Sequence, residues 1–192
     1  MKIKWRGKLS KTNTFSPIKI PLNSVQLLDP KYKLQYYIPI IPILIFIVLC
    51  VYCKTGFMWK FTLNSVGYII GFLLIIPFSI IHELLHASCL PSKGKAEIFY
   101  SVSGFCFVAT TPTSRKRYIL ITLFPALMLG IIPLLIWIFI PYKYVMLNSI
   151  WFTLSSGNLA SSVIDLYTLA QVINQTPKGS SIIQSGFECY YY

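Results

Sequence analysis

Acidic residues are nearly missing from this chain: five of 192 residues are Asp or Glu, against 17 Lys or Arg, for a formal net charge of +12. Charged residues of both signs reach only 11% while hydrophobic residues reach 55%, which sets aside an ordinary soluble domain and points to a multispanning membrane protein. Cysteines number five, an odd count without repeated spacing, so a disulfide framework is not expected. Cys50 and Cys53 form a CxxC at the end of an apolar run, where small residues of a membrane helix explain them better than redox or metal chemistry. The basic excess carries no Arg/aromatic motif of the RNA-binding type, and it gathers beside apolar segments. Nucleic acid is therefore not expected as a partner, and anionic lipid headgroups are. Histidine is scarcer still, with two in the whole chain.

The first 33 residues are polar and basic, too long for the charged start of a signal peptide, and no small-residue cleavage site follows them; they are expected to stay on the mature protein. Uncharged runs at 34–53, 61–81 and 118–140 then predict spans over 34–53, 61–90 and 118–140, with a short loop at 54–60. Pro77 is expected to kink the second span, and Pro91 to end it. Pro125 and Pro133 fall inside the third, where neighbours must satisfy the carbonyls they free. A fourth run, 144–177, would make a helix of about 50 Å, well beyond the ~30 Å hydrocarbon core, so it must tilt or break. The expected break is Ser155-Ser156-Gly157-Asn158. Between spans two and three, 97–103 and 105–111 are rich in Ile, Phe, Tyr, Val and Thr around Gly104, which predicts a β-hairpin. The fold expected is thus all-α, with about four transmembrane helices and one small hairpin. With four spans, the N-terminal tail, hairpin loop and C-terminal tail share one side and hold fourteen basic residues against three elsewhere, so both termini are expected to be cytoplasmic.

Both histidines lie in one stretch, His82-Glu83-Leu84-Leu85-His86, the HExxH pattern in which two imidazoles four residues apart share a helix face and can reach one metal ion. Three expensive polar side chains on an apolar helix need compensation, and Zn2+ would provide it. Catalytic zinc commonly takes three protein ligands, and no third histidine exists. Among the acids outside the motif, Asp29, Glu97 and Glu188 fall in tails or loops, and only Asp165 sits on a predicted span. It is the candidate third ligand, the other reading being an ion pair with Arg115, Arg117 or a lysine. Cys89, three residues after His86, is a weaker alternative. Glu83 is placed to act as general base and then acid, and Asn158 either to stabilise an oxyanion or to cap the half-helix after it.

Taken in order, IIHELLHA, a Gly-containing hairpin, TTPTSRKRYILITLFPALMLGIIPLL, SSGNLASSVIDLYTLAQV and PKGSSIIQSGF resemble a family of small bacterial membrane proteins described as putative zincin peptidases, over about residues 56–192. More distantly the order is similar to site-2 proteases, where HExxH on one membrane helix meets an aspartate from a later one. Here the prolines of that aspartate's segment and the glycine after it are missing, and Ile164 stands where the nearer family often has glycine. The resemblance implies a zinc-dependent peptidase of the bacterial plasma membrane acting on a membrane-embedded or membrane-associated peptide or protein. Spans and charge distribution divide the chain into three expected parts: a cytoplasmic tail over 1–33, a transmembrane metallopeptidase-like domain over 34–177, and a cytoplasmic tail over 178–192. An exposed edge at 105–109 would hold the substrate extended. The alternative is a non-catalytic immunity or assembly factor with a structural metal site.

Overall fold

Long apolar runs without an acid can satisfy their backbone only as helices if they meet lipid, and here they do become helices. The computed structural model describes residues 1–10, 14–27, 33–58, 64–101 and 104–192. In chain order the helices are α1 (Ile40–Met58), α2 (Ser65–Ser88), α3 (Arg115–Pro125), α4 (Ile132–Phe139), α5 (Val145–Ser161) and α6 (Val163–Gln175). A 3-10 turn, Lys33–Tyr37, precedes α1, and a π-helical turn, Ala126–Ile131, joins α3 to α4. The strands are β1 (Lys2–Lys8), β2 (Val25–Gln26), β3 (Lys95–Ser101), β4 (Gly104–Ala109), β5 (Thr113–Ser114), β6 (Ser181–Ser185) and β7 (Glu188–Tyr191).

The all-α expectation fails. Two sheets form, one ordered β1-β3-β4 and the other β2-β7-β6-β5. The hairpin expected between the second and third spans is present as β3 and β4, in antiparallel register from Ala96↔Ala109 to Ser101↔Gly104. The expected residues Val102 and Ser103 lie outside the described residues. Gly104 takes φ +121, a value side chains resist. Four of the five additional strands come from the two terminal segments, and β5 follows the hairpin directly. The alternation Lys2, Ile3, Lys4, Trp5 has strand period, and β1 pairs in parallel with β3 from Lys2↔Lys95 to Lys8↔Tyr100. The last residues fold back as β6 and β7 around Gly186, whose φ is +67.

Among the described residues, three helical segments are long and apolar enough to cross a membrane: Leu34–Gly56, Ser65–Ser88 and Arg115–Phe139. Four spans were expected, and the fourth fails for a local reason. After α5, Ser162 leaves helical geometry at φ −79, ψ 5, and both Ser161 and Ser162 donate their hydroxyls to the Asn158 carbonyl. Serine hydroxyls competing for a backbone acceptor weaken the ladder there. The break therefore falls at Ser162, and the expected site, Ser155 to Asn158, is continuous helix. The expected start of the second span at Phe61 lies outside the described residues.

The chain divides into two compact units, one of Met1–Tyr32, Glu83–Phe124 and Thr168–Tyr192, the other of Lys33–His82 and Pro125–Tyr167. The first contains all seven strands. It holds two apolar clusters, one around Tyr118, Val172 and Ile182, the other around Leu90, Ala96, Ala109 and Ile121. Arg115 closes the end of α6 there: Nε donates to Thr176 Oγ1 at 2.9 Å and Nη2 to the Ile173 carbonyl at 3.0 Å.

The second unit is helical, with a core of Ile43, Cys50, Ala126, Leu134, Trp137 and Leu159. Lys54, expected in a loop, lies inside α1 and is buried. Its Nζ donates to the Trp137 and Ile140 carbonyls at 2.7 and 2.8 Å, capping α4 with a cation where the helix dipole favours one. Helices α2 and α5 meet at glycines. A Cβ on Gly67 would lie 2.7 Å from the Met146 carbonyl, and one on Gly71 2.8 Å from Thr153 Cβ and 2.9 Å from the Ile150 carbonyl. Gly157 faces Ile75 in the same interface. Small residues let two helix backbones approach this closely.

Candidate metal centre

His82 and His86 sit one turn apart on α2, four residues apart and therefore on one face, and both are buried. In the helical unit, α6 begins just after the break at Ser162 and carries Asp165 in its first turn. The Asp165 carboxylate comes to His82, with Nε2 3.0 Å from Oδ2. His86 keeps its place relative to His82 through the helix they share. One ligand atom from each of His82, His86 and Asp165 lies within 4.8 Å of the others. Arg115, one alternative partner for this aspartate, is instead engaged at the end of α6.

The His86 ring is held from behind. His86 Nδ1 lies 2.7 Å from the Ile121 carbonyl, and its ring stacks on Phe107 of β4 at 5.4 Å between centroids. A carbonyl can only accept, so Nδ1 carries the proton and donates it. The metal-binding lone pair is then on Nε2, the usual way a partner behind an imidazole selects its tautomer. Neither Ile121 nor Phe107 was anticipated from sequence; the available signal for the first is Pro125, four residues further on.

Glu83 is buried beside His82 in the chain, a setting suited to a carboxylate that must exchange a proton away from bulk water. Asn158 is buried within α5 and donates Nδ2 to the Leu154 carbonyl at 2.8 Å. It does not cap α6, because Ser162 separates the two helices. Cys89 falls outside the group of possible ligands. Burial pushes its thiol upward, with the Ser88 hydroxyl and the Arg117 charge opposing, and zinc requires a thiolate.

Two imidazole nitrogens and a carboxylate oxygen match the three protein ligands of catalytic zinc, which leave a fourth position for water. A soft ion would select more sulfur, and Mg2+ or Ca2+ more oxygen, so the donor chemistry fits zinc. An HExxH helix with a carboxylate drawn to its first histidine is the donor set of a metal-dependent hydrolase.

A family model described as "Putative zincin peptidase" matches residues 74–181, more than half of the chain, and the chain belongs to that family. The match includes His82, Glu83, His86 and Asp165 and leaves out β1 and β2. No curated protein and no solved structure matches the chain.

Proposed function

We propose that this protein is a zinc-dependent peptidase that cleaves peptide bonds in membrane-embedded or membrane-associated proteins. The observation that carries the proposal is the meeting of Asp165 with His82 at 3.0 Å, one helical turn from His86. His82, His86 and Asp165 would hold the ion. When bound, zinc supplies Lewis acidity toward a carbonyl and lowers the pKa of water toward neutrality. Glu83 would accept the proton of the attacking water and pass it to the leaving amine. Asn158 gives one amide hydrogen to the Leu154 carbonyl, which leaves its second for an oxyanion.

The substrate would be held by β4, which is an edge strand. Thr110 donates inward to Lys95, whereas the Ala109 N–H turns away from β3 and is taken by Gln184 Oε1. By the two-residue alternation of an antiparallel strand, Phe105 and Phe107 also turn their backbone groups to that outer edge. The edge therefore offers pairing groups beside the ring stacked on His86. A membrane helix has no spare backbone groups, so a substrate must unwind before it can use them.

Three long apolar helices support membrane residence. The large hydrophobics of α1 and α2 left exposed, among them Ile41, Leu44, Val48, Ile69 and Phe72, would face lipid. Lys2, Lys4, Lys8, Lys93, Lys95 and Arg117 lie in the strand-bearing unit, which supports a cytoplasmic position for that unit beside anionic headgroups.

The deciding experiment is Glu83→Gln in purified protein. Zinc stoichiometry should stay at wild-type level while peptide hydrolysis falls by about 10²–10⁴-fold. Full activity in that variant, or a wild-type protein that binds no zinc, sinks the peptidase reading. A wild type that binds zinc stoichiometrically but cleaves no membrane peptide would favour the non-catalytic alternative.

A further inference from the structure

In a regular α-helix the carbonyl of residue 121 receives the N–H of residue 125. Residue 125 is proline, which has no N–H and whose ring presses on the carbonyl four residues back. Pro125 is fully buried at the end of α3, and the ladder beyond it widens at once into the π-helical turn Ala126–Ile131, where the Ile132 N–H reaches back to Leu127. The carbonyl that Pro125 leaves without its helical donor is the one that accepts from His86 Nδ1 at 2.7 Å.

We infer that Pro125 is a positioning residue for His86: by withholding an N–H from the Ile121 carbonyl, it keeps that acceptor open for Nδ1 and so commits Nε2 to the metal. A residue with an N–H at position 125 would close the helical bond to Ile121. The His86 Nδ1 proton would then compete for its acceptor, and the Nε2–H tautomer, which cannot ligate through Nε2, would become populated. A carbonyl has two lone pairs, but the helical N–H would take the in-line position and leave the Nδ1 proton a poorer angle. Pro133 is the natural control. It lies in the same long helical segment, at the start of α4, and its carbonyl accepts from the Trp151 indole, so replacing it adds an N–H away from the histidines.

The tautomer claim concerns the metal-free ring, and its effect on affinity rests on the zinc reading above. With only two histidines in the chain, 15N-histidine labelling gives two imidazoles to resolve, and His82→Gln assigns them. In metal-free full-length protein in micelles, His86 should be the Nδ1–H tautomer. Pro125→Ala should shift it toward Nε2–H and weaken zinc binding, titrated against a chelator, by roughly 10–100-fold, as loss of a partner behind a ligating histidine does. Pro133→Ala should change neither. The inference is overturned by wild-type His86 protonated at Nε2, by a Pro125→Ala protein with wild-type tautomer, or by equal effects of the two proline variants. If Pro125→Ala does not fold, the wild-type tautomer still decides whether Ile121 is the acceptor. Should neither protein bind zinc, the zinc reading fails while the tautomer shift still tests Pro125.

Discussion

At the scale of single residues, scarcity made the site readable. With five acids in the chain, Asp165 stood out as the one carboxylate outside the HExxH motif on an apolar predicted helix, and it is found 3.0 Å from His82. The partners behind His86 were not read: an aromatic in a strand is commonplace, and Pro125, the signal for the Ile121 carbonyl, marks an open acceptor without saying which donor meets it. Lys54 was misplaced for a related reason: a lysine after an apolar run looks like a loop until the carbonyls of Trp137 and Ile140 are seen beside it. If Asp165 completes the metal site, Asp165→Ala should lower zinc affinity by more than the roughly 10–100-fold typical of outer partners, since a ligand itself is lost. Chelator competition measures this. Unchanged affinity would reduce the His82 contact to an ordinary buried ion pair.

Among the elements, the helices followed from composition and the β3–β4 hairpin from its β-rich segments around Gly104. The terminal strands did not. β2, β6 and β7 are short, β1 is dominated by lysine and arginine, and its partner β3 lies some ninety residues away, so no local pattern reveals the pairing. What pairing leaves over matters for function, because β4 keeps one edge outside the β1-β3-β4 sheet. Proline at Phe105 should remove an outward N–H while leaving the ladder to β3 intact, a position edge strands tolerate. If substrate adds to that edge, Phe105→Pro should raise KM severalfold with kcat little changed. Steady-state kinetics on a membrane peptide separate the two, and a fall in kcat alone would remove β4 from substrate binding.

For the molecule as a whole, the question is how residues 83 positions apart come to lie 3.0 Å from one another. Within the helical unit the connection is mechanical. Helix α2 carries His82 and packs on α5 through Gly67 and Gly71, and α5 leads through the break at Ser162 into the first turn of α6, where Asp165 lies. Hydropathy gave no hint of this, since glycine in an apolar run looks the same whether it meets lipid or a neighbouring helix. Gly71 lies about three turns before His82, so a side chain there touches no ligand. Gly71→Leu nevertheless places a branched side chain against the Ile150 carbonyl and Thr153, which backbone cannot yield to cheaply. The two helices must separate, and Asp165 should be drawn away from His82. The expected outcome is zinc affinity lowered by about tenfold or more in a protein that remains helical by circular dichroism. Phe72→Leu, one position along and exposed, should leave affinity unchanged. Equal zinc binding in both variants would show that α6 holds Asp165 in place without help from the α2–α5 contact.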